Sequence, residues 1–282
     1  MKTYYLLTKP KIIFGNLITT IAGFALACTT GIHLVLFLQT LIGLGLVIAS
    51  ACVCNNYIDR QIDKKMKRTQ SRPLVSGLIS CQSALTFATL MGVSGVCILA
   101  YFANTLAAVI AVIGFVVYVA LYSLLKTHTG YATLIGSVSG AVPPVVGYVA
   151  VSGQLDMAAF LLFILLVLWQ MPHFYSIAIY AFDDYSAANI PTLPVAEGIE
   201  KAKKHMFAYI AAFLLCIPVF TLLGYTGYAY LVVSLVSAIV WFWFSYQGFK
   251  AENNTVWARK MFAISLMTIV AISGVITVGA IF

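Results

Sequence analysis

The stretch that decides the fold is residues 34–63, which read LVLFLQTLIGLGLVIASACVCNNYIDRQID. From Leu34 to Ile58 it carries no charge, and a helix needs about 20 apolar residues to cross a bilayer. The run ends in Asn55, Asp59 and Asp63, spaced four residues apart. A four-residue step is roughly one helical turn, so we expect these side chains on one face, each about 6 Å further along the axis. The stretch predicts a membrane helix that ends in this polar ladder, defined as Asn55, Asp59 and Asp63.

The composition extends this membrane character to the whole chain. Of its 282 residues, 62% are hydrophobic and only 9% are charged, whereas about 25% are charged in a soluble domain. Such a chain has too little polar surface to cover a globule in water. We therefore expect an all-α integral membrane protein, with residues 1–282 forming a single transmembrane domain. Its partner is then the lipid bilayer, and no nucleic acid is expected.

Apolar windows of about 20 residues predict nine transmembrane helices. Two of them contain prolines, Pro143-Pro144 in the fifth and Pro172 in the sixth. Such breaks persist in a bilayer where protein or a cavity satisfies the freed backbone groups, so we expect the helices to surround an apolar cavity. The predicted limits are 12–31, 34–58, 83–102, 105–125, 132–151, 158–182, 207–224, 227–247 and 261–281.

The charges predict the orientation of these helices. All 16 Lys and Arg residues fall in the N-terminal tail or in connections on the same side of a nine-span chain. By the positive-inside rule this side is cytoplasmic, which puts the N-terminus inside and the C-terminus outside. Seven of the eight acids lie on the same side, and Asp156 is the exception. We therefore expect the chemistry at the cytoplasmic face of a cell, or inner, membrane.

The polar ladder suits a hard cation. Mg²⁺ typically takes one or two carboxylates, together with waters and substrate phosphates. We expect Asp59 and Asp63 to act in catalysis by holding Mg²⁺, with Asn55 as a weaker, neutral ligand. An apolar chain that ends in such a site suggests an enzyme acting on a lipid diphosphate. The alternative for an isolated acid pair at a helix end is a solvated cap or a salt bridge.

Basic residues near the ladder are candidates for binding the diphosphate. Arg68 and Arg72 follow the ladder in the next loop, and an Arg fork matches phosphate oxygens. Lys126 is the only cation in the loop after the fourth span, where Tyr122 precedes it by one turn. We expect Arg68, Arg72, Lys126 and Tyr122 to bind diphosphate, with Lys126 acting in catalysis. Alone, Lys126 would equally suit an interface anchor.

A third cluster lies in and after the sixth predicted span. His173 is the only histidine deep within a span, and an ionisable residue there is a functional candidate, although a core hydrogen-bonding role is the simpler alternative. Asp183 and Asp184 follow about three turns later. They could cap a surface helix, or Asp184 could complete a second metal site.

The six cysteines carry no evident function. Five lie within predicted spans and Cys81 lies at the entrance of one. We expect small buried hydrophobic residues rather than a disulfide framework.

Taken together, these motifs resemble a known family. The ladder, with Arg68-Thr69 and Arg72-Pro73-Leu74 after it, is similar to the first Asp-rich motif of the UbiA-type intramembrane prenyltransferases. The segments around Pro172-His173 and Asp184-Tyr185, and the start at Lys9-Pro10-Lys11, resemble the members that farnesylate haem. In two places the chain departs from the superfamily pattern: Thr127 follows Lys126 where an Arg is common, and His173 stands where many relatives have an acid.

The resemblance implies an activity and its partners. It implies the UbiA-type fold, Mg²⁺ as cofactor, and transfer of a farnesyl group from farnesyl diphosphate to a vinyl group of haem b, giving haem O. It implies His173 as a haem-binding residue, and haem A synthase or a terminal oxidase assembly as recipients of the product. The nearest alternative is prenylation of an aromatic quinone precursor. A transporter would place its ionisable site near the midplane, and a structural subunit would not need the ladder.

Overall fold

The computed structural model describes residues 2–29 and 31–280, which are mostly helical and contain no β-strand. The end predicted for the ninth span, residue 281, lies outside the described residues, and the first span ends at Ala27 instead of residue 31. Within the described residues, nine helical segments are long and apolar enough to cross a membrane, which confirms the predicted number. They are Pro10–Ala27, Leu34–Asp63, Cys81–Ala103, Thr105–Leu125, Ala132–Ser152, Met157–Tyr180, Ile199–Leu222, Tyr228–Lys250 and Asn254–Gly279.

Two spans begin well before their predicted limits. The seventh begins at Ile199 instead of 207, and the ninth at Asn254 instead of 261. In the seventh span, Lys203 pairs with Glu200 at 2.7 Å, so its first turns are charged yet helical. In the ninth, the Asn253 side chain accepts the Val256 N–H at 3.0 Å and caps the helix. An apolar window misses such turns because it detects hydrophobicity and not helix formation.

The second span is a single helix that continues to Asp63. The whole polar ladder is therefore helical, as its spacing predicts. The fifth span is divided at Ala141 into helices Ala132–Gly140 and Val142–Ser152, and Pro143 and Pro144 lie in the first turn of the second helix. Proline is tolerated there because the first N–H groups of a helix have no intrahelical partner.

Glycines let several spans pack backbone against backbone. A Cβ added at Gly23, in the first span, would lie 1.9 Å from the Pro144 carbonyl oxygen. One added at Gly147, in the fifth span, would lie 2.2 Å from the Thr20 carbonyl oxygen. Gly95 of the third span would meet the Gly43 carbonyl oxygen of the second at 2.5 Å. Small residues at helix interfaces are typical of membrane bundles, where close approach replaces the hydrophobic driving force.

Three short helices accompany the spans: Lys2–Leu7, Phe182–Ala187 and Leu193–Glu197. Met66, from the loop after the second span, packs with Ala188 and Ile190, which follow the sixth, and Tyr185 packs against this cluster. This small apolar cluster brings two distant segments of the chain together beside the ladder.

All six cysteines are free. Cys52 and Cys216 are buried, but Cys81 and Cys97 are exposed, so the expectation of buried cysteines is wrong for these two. Cys97 illustrates the reason: a residue within a span can face lipid, and an apolar window does not distinguish lipid from protein.

Candidate active site

The polar ladder is buried, and each of its side chains is paired with a basic residue from a different segment. Asn55 Oδ1 accepts a hydrogen bond from Lys9 Nζ at 2.5 Å. Asp59 Oδ2 forms an ion pair with Lys126 Nζ, and Asp63 Oδ2 pairs with Arg72 Nη1 at 2.7 Å. The ladder and its three cations, Lys9, Arg72 and Lys126, form the centre of the site.

Arg72 and Lys126 both contact the ladder acids, and their role in binding diphosphate stays a prediction. Arg72 lies in the loop after the second span, and Thr69 Oγ1 donates to the Asp63 carbonyl oxygen at 3.0 Å, which holds this loop against the helix end. Arg68, also expected at this site, is exposed, and its guanidinium lies 5.9 Å from the Tyr185 ring, with no contact to the ladder.

Lys9 is the site residue that sequence reasoning missed. It immediately precedes the first span, where a basic residue is ordinarily topogenic, so its position alone gave no signal of a role in the site. Its φ of 51° is left-handed, a conformation that costs a non-glycine residue about 1–3 kcal/mol and often marks functional sites. Burial lowers the pKa of the Lys9 ammonium to about 8. The signal available in the sequence was the likeness of Lys9-Pro10-Lys11 to the haem-farnesylating members. Pro10 itself favours extended backbone at the preceding residue, so it did not predict the left-handed conformation of Lys9.

The end of the fourth span also holds the ladder in place, through a hydrogen bond to Asn55. Asn55 Nδ2 donates to Ser123 Oγ at 2.9 Å, and Ser123 Oγ donates to the Tyr118 carbonyl oxygen at 2.9 Å. Residues Val117–Tyr122 form a π-helical turn, a feature frequent at functional sites. The Tyr122 ring lies 5.9 Å from Lys126 Nζ and stacks on Tyr118 at 5.5 Å. Tyr122 therefore lies beside Lys126, and its role in binding diphosphate stays a prediction.

Asp184 contacts the loop that follows the ladder, but its hydrogen-bond partner is a backbone N–H group and not a basic side chain. Its Oδ1 accepts the backbone N–H of Lys67 at 3.0 Å, and the adjacent Asp183 is exposed. Throughout the described ranges, no three His, Cys, Asp or Glu side chains lie close enough together to hold a metal ion. Asp184 thus does not join Asp59 and Asp63 in a three-carboxylate cluster, and its role as a metal ligand stays a prediction.

The donor set of the ladder nevertheless fits Mg²⁺. Asp59 Oδ1 is buried and has no hydrogen-bond partner, an arrangement that is costly unless another group satisfies it. Two carboxylates at successive turns, with an amide above them, match the one or two protein carboxylates that Mg²⁺ ordinarily uses. Waters and phosphate oxygens would supply the remaining ligands.

His173 lies in the sixth span, away from the ladder, and is tightly surrounded. Its ring stacks on Trp169 at 4.8 Å and contacts Phe262, of the ninth span, at 4.8 Å. His173 Nδ1 lies 2.8 Å from Ser265 Oγ, and Trp169 Nε1 donates to the Ser265 carbonyl oxygen at 2.8 Å. The structure thus surrounds His173 with aromatic rings and joins it to the ninth span.

The fold, with a buried acid ladder at the end of a membrane helix, defines the class of protein. The chain belongs to the UbiA prenyltransferase family, whose model matches residues 16–267. The more specific resemblance, to haem-farnesylating members, is also confirmed. A protoheme IX farnesyltransferase of Cronobacter sakazakii is 53% identical over 279 residues, covering 99% of this chain and 95% of the relative. One of Serratia proteamaculans is 52% identical over 274 residues, covering 97% and 93%.

Solved structures share the fold at low sequence identity. A UbiA homologue from Aeropyrum pernix superposes with a TM-score of 0.78 at 19% identity, covering 95% of this chain and 98% of the other. A UbiA homologue from Archaeoglobus fulgidus bound to DMAPP and Mg²⁺ gives 0.70 at 17% identity, covering 98% and 99%. These likenesses establish the UbiA-type fold.

Proposed function

We propose that this chain transfers the farnesyl group of farnesyl diphosphate to a vinyl group of haem b, making haem O and releasing diphosphate. The observation that carries the proposal is the identity of 52–53% with protoheme IX farnesyltransferases over nearly the full chain. The same relatives argue against the alternative acceptor, an aromatic quinone precursor.

The buried ladder supports the diphosphate half of the reaction. When bound there, Mg²⁺ would neutralise diphosphate oxygens and stabilise the departing group as a Lewis acid. The residues that would hold it are Asp59 and Asp63, with Asn55 beside them and Asp184 as a further candidate. A homologue bound to DMAPP and Mg²⁺ supports this use of metal, although it shares only the fold.

The pairing of the ladder suggests what its basic residues do. Lys126 and Arg72 are the counter-ions of Asp59 and Asp63. With a divalent cation bound at these carboxylates, both basic side chains would be free to bind diphosphate oxygens, and neither carboxylate would be left unpaired. Preorganised positive charge of this kind stabilises the negative charge that develops on a leaving group. We also propose that Tyr122, whose ring lies 5.9 Å from Lys126 Nζ, and the exposed Arg68 help to bind the diphosphate.

The proposed transfer breaks one bond of farnesyl diphosphate and forms two new bonds at the haem vinyl group. The C1–O bond of farnesyl diphosphate breaks, and its electron pair leaves with the diphosphate oxygen that the basic residues neutralise. The allylic carbon is then attacked by the vinyl π-electrons of haem b, which forms the new C–C bond. Water adds to the remaining cationic carbon and loses a proton, giving a hydroxyethylfarnesyl side chain. An apolar interior would delay access of water to the allylic cation until the C–C bond has formed.

His173 is our candidate for contacting the haem acceptor. Neutral imidazole is a common iron ligand, and this ring lies among the aromatic rings of Trp169, Phe174 and Phe262. We further propose that the product passes to haem A synthase or to a terminal oxidase assembly. The protein would work in the inner membrane, with its N-terminus in the cytoplasm and its C-terminus outside.

The test is to incubate the purified protein with haem b, farnesyl diphosphate and Mg²⁺, and to identify products by mass. We expect haem O and diphosphate in equal amounts. The Glu252→Gln variant removes an exposed acid in the loop before the ninth span, and we expect it to form haem O at the same rate as the unaltered protein. Formation of a prenylated aromatic ring from an added quinone precursor, with haem b unchanged, would overturn the proposal.

A further inference from the structure

Ser265 of the ninth span lies at the meeting point of three hydrogen bonds. The residue is fully buried, and its hydroxyl lies between two partners. Ser265 Oγ is 2.6 Å from the Phe262 carbonyl oxygen and 2.8 Å from His173 Nδ1. Its own carbonyl oxygen accepts the Trp169 indole N–H at 2.8 Å. Ser265 therefore joins the ninth span to the sixth through two hydrogen bonds, one with His173 and one with Trp169, whose ring stacks on His173.

The position of the hydroxyl proton determines the tautomer of His173. Two oxygens 2.6 Å apart need a proton between them, and a carbonyl oxygen has none to give, so the serine hydroxyl donates to Phe262. Ser265 Oγ can then only accept from the histidine. His173 Nδ1 must carry the proton, because a neutral imidazole has one donor and one acceptor nitrogen. Nε2 is left with a free lone pair, and it makes no hydrogen bond within residues 2–29 and 31–280.

We infer that Ser265 is a positioning residue which holds His173 as the Nδ1–H tautomer and so presents Nε2 to the iron of the haem acceptor. This inference rests on the proposed function, in which haem b is the acceptor. When one ring nitrogen of a histidine binds a metal, a hydrogen bond donated by the other ring N–H fixes the ring orientation and makes the metal-binding nitrogen more basic. Trp169 stabilises the arrangement by stacking on the ring and bonding to the same serine.

The experiment measures the iron–nitrogen bond and not only turnover. Ferrous haem b is added to the purified full-length protein, the iron–histidine stretching frequency is recorded by resonance Raman spectroscopy, and haem affinity is titrated optically. Ser265→Ala should weaken haem binding by about 10-fold and shift the stretch to lower frequency, because the imidazole loses its hydrogen-bond acceptor. Ser265→Thr keeps a hydroxyl and should restore both values. His173→Ala should abolish the band.

Ser273→Ala is the matched control, since it removes the hydroxyl of another buried serine in the same span. We expect wild-type values for it. Binding of farnesyl diphosphate, measured on each variant, checks that the protein is folded.

Three results would overturn the inference. Ser265→Ala could leave frequency and affinity unchanged while His173→Ala abolishes the band. His173→Ala could itself retain the band, or Ser265→Thr could fail to reverse the shift seen with alanine. The proposed transfer of farnesyl to haem b is judged separately, by the mass of the product formed by the unaltered protein. A band retained in His173→Ala would also remove His173 as the proposed haem contact.

Discussion

At the scale of single residues, the site consists of acids that already have counter-ions. Asp59 and Asp63 are buried, and each is neutralised by a cation brought from elsewhere in the chain. The sequence predicts the acids, their spacing and two of the cations, because a four-residue repeat at a helix end is a local pattern. It does not predict that Lys9 pairs with Asn55, because this contact joins residues far apart in the chain and depends on how the first span packs.

Removing one ladder charge should abolish activity. Asp59→Asn and Asp63→Asn should each lower kcat by at least about 100-fold, since each removes a charge that we propose holds Mg²⁺ next to the leaving group. The Asp59 variant also leaves Lys126 without its partner, and breaking a buried pair costs about 3–5 kcal/mol, so its unfolding temperature should fall. Binding of Mn²⁺, followed by electron paramagnetic resonance, should weaken in both variants. Near-normal rates at limiting Mg²⁺ would contradict the assignment, and Asn55→Ala should have a smaller effect.

Lys9 should contribute to binding of the diphosphate. Lys9→Met removes a half-buried positive charge beside the ladder, and we expect KM for farnesyl diphosphate to rise by about 10-fold, equivalent to about 1.4 kcal/mol. Lys11→Met is the control, because Lys11 is an exposed lysine two residues further along. The steady-state KM of both variants is the measurement. Equal effects of the two substitutions would indicate a general effect of surface charge and would refute a specific role for Lys9.

At the scale of helices, hydrophobic windows predict the number of spans correctly but misplace several ends. The seventh and ninth spans begin in charged or polar turns that are stabilised by ion pairs and a cap. The division of the fifth span at Ala141 also has a local cause, since Pro143 and Pro144 follow after Val142, in the first turn of the next helix. What could not be predicted is which faces of the helices meet, because lipid-facing and protein-facing residues are equally apolar.

The close contact of the first and fifth spans gives a prediction at this scale. Gly23→Ala should destabilise the protein by about 1–3 kcal/mol, because the added methyl group would meet backbone atoms of Pro144 that cannot move aside easily. Gly274→Ala, in the ninth span, has open space around the new methyl group and should be neutral. Thermal unfolding in detergent compares the two variants. A melting temperature for Gly23→Ala as high as that of Gly274→Ala would show that the two spans are not in close contact.

At the scale of the whole molecule, the distribution of charge predicts the orientation in the membrane. In a background without the six native cysteines, cysteines placed at Ser71 and Lys204 should react only with a reagent on the cytoplasmic side, and one at Gln154 only from outside. These positions are exposed, whereas the neighbouring Lys203 is buried and would label poorly. The adjacent Gly153 is a poor position for a labelling cysteine, because its φ of 69° would strain any residue other than glycine. Labelling of position 71 from outside would refute the predicted orientation.

The pairing of distant segments has a consequence for the order in which the protein is made. The ladder acids enter the membrane with the second span, but the counter-ion of Asp59 arrives only when the fourth span has been synthesised. The surroundings of His173 are completed later still, since its partner Ser265 lies 92 residues further along the chain. All the basic partners of the ladder are therefore synthesised before the ninth span. A nascent chain that stops short of the ninth span would carry every partner of the ladder but would lack the Ser265 partner of His173, our proposed haem contact.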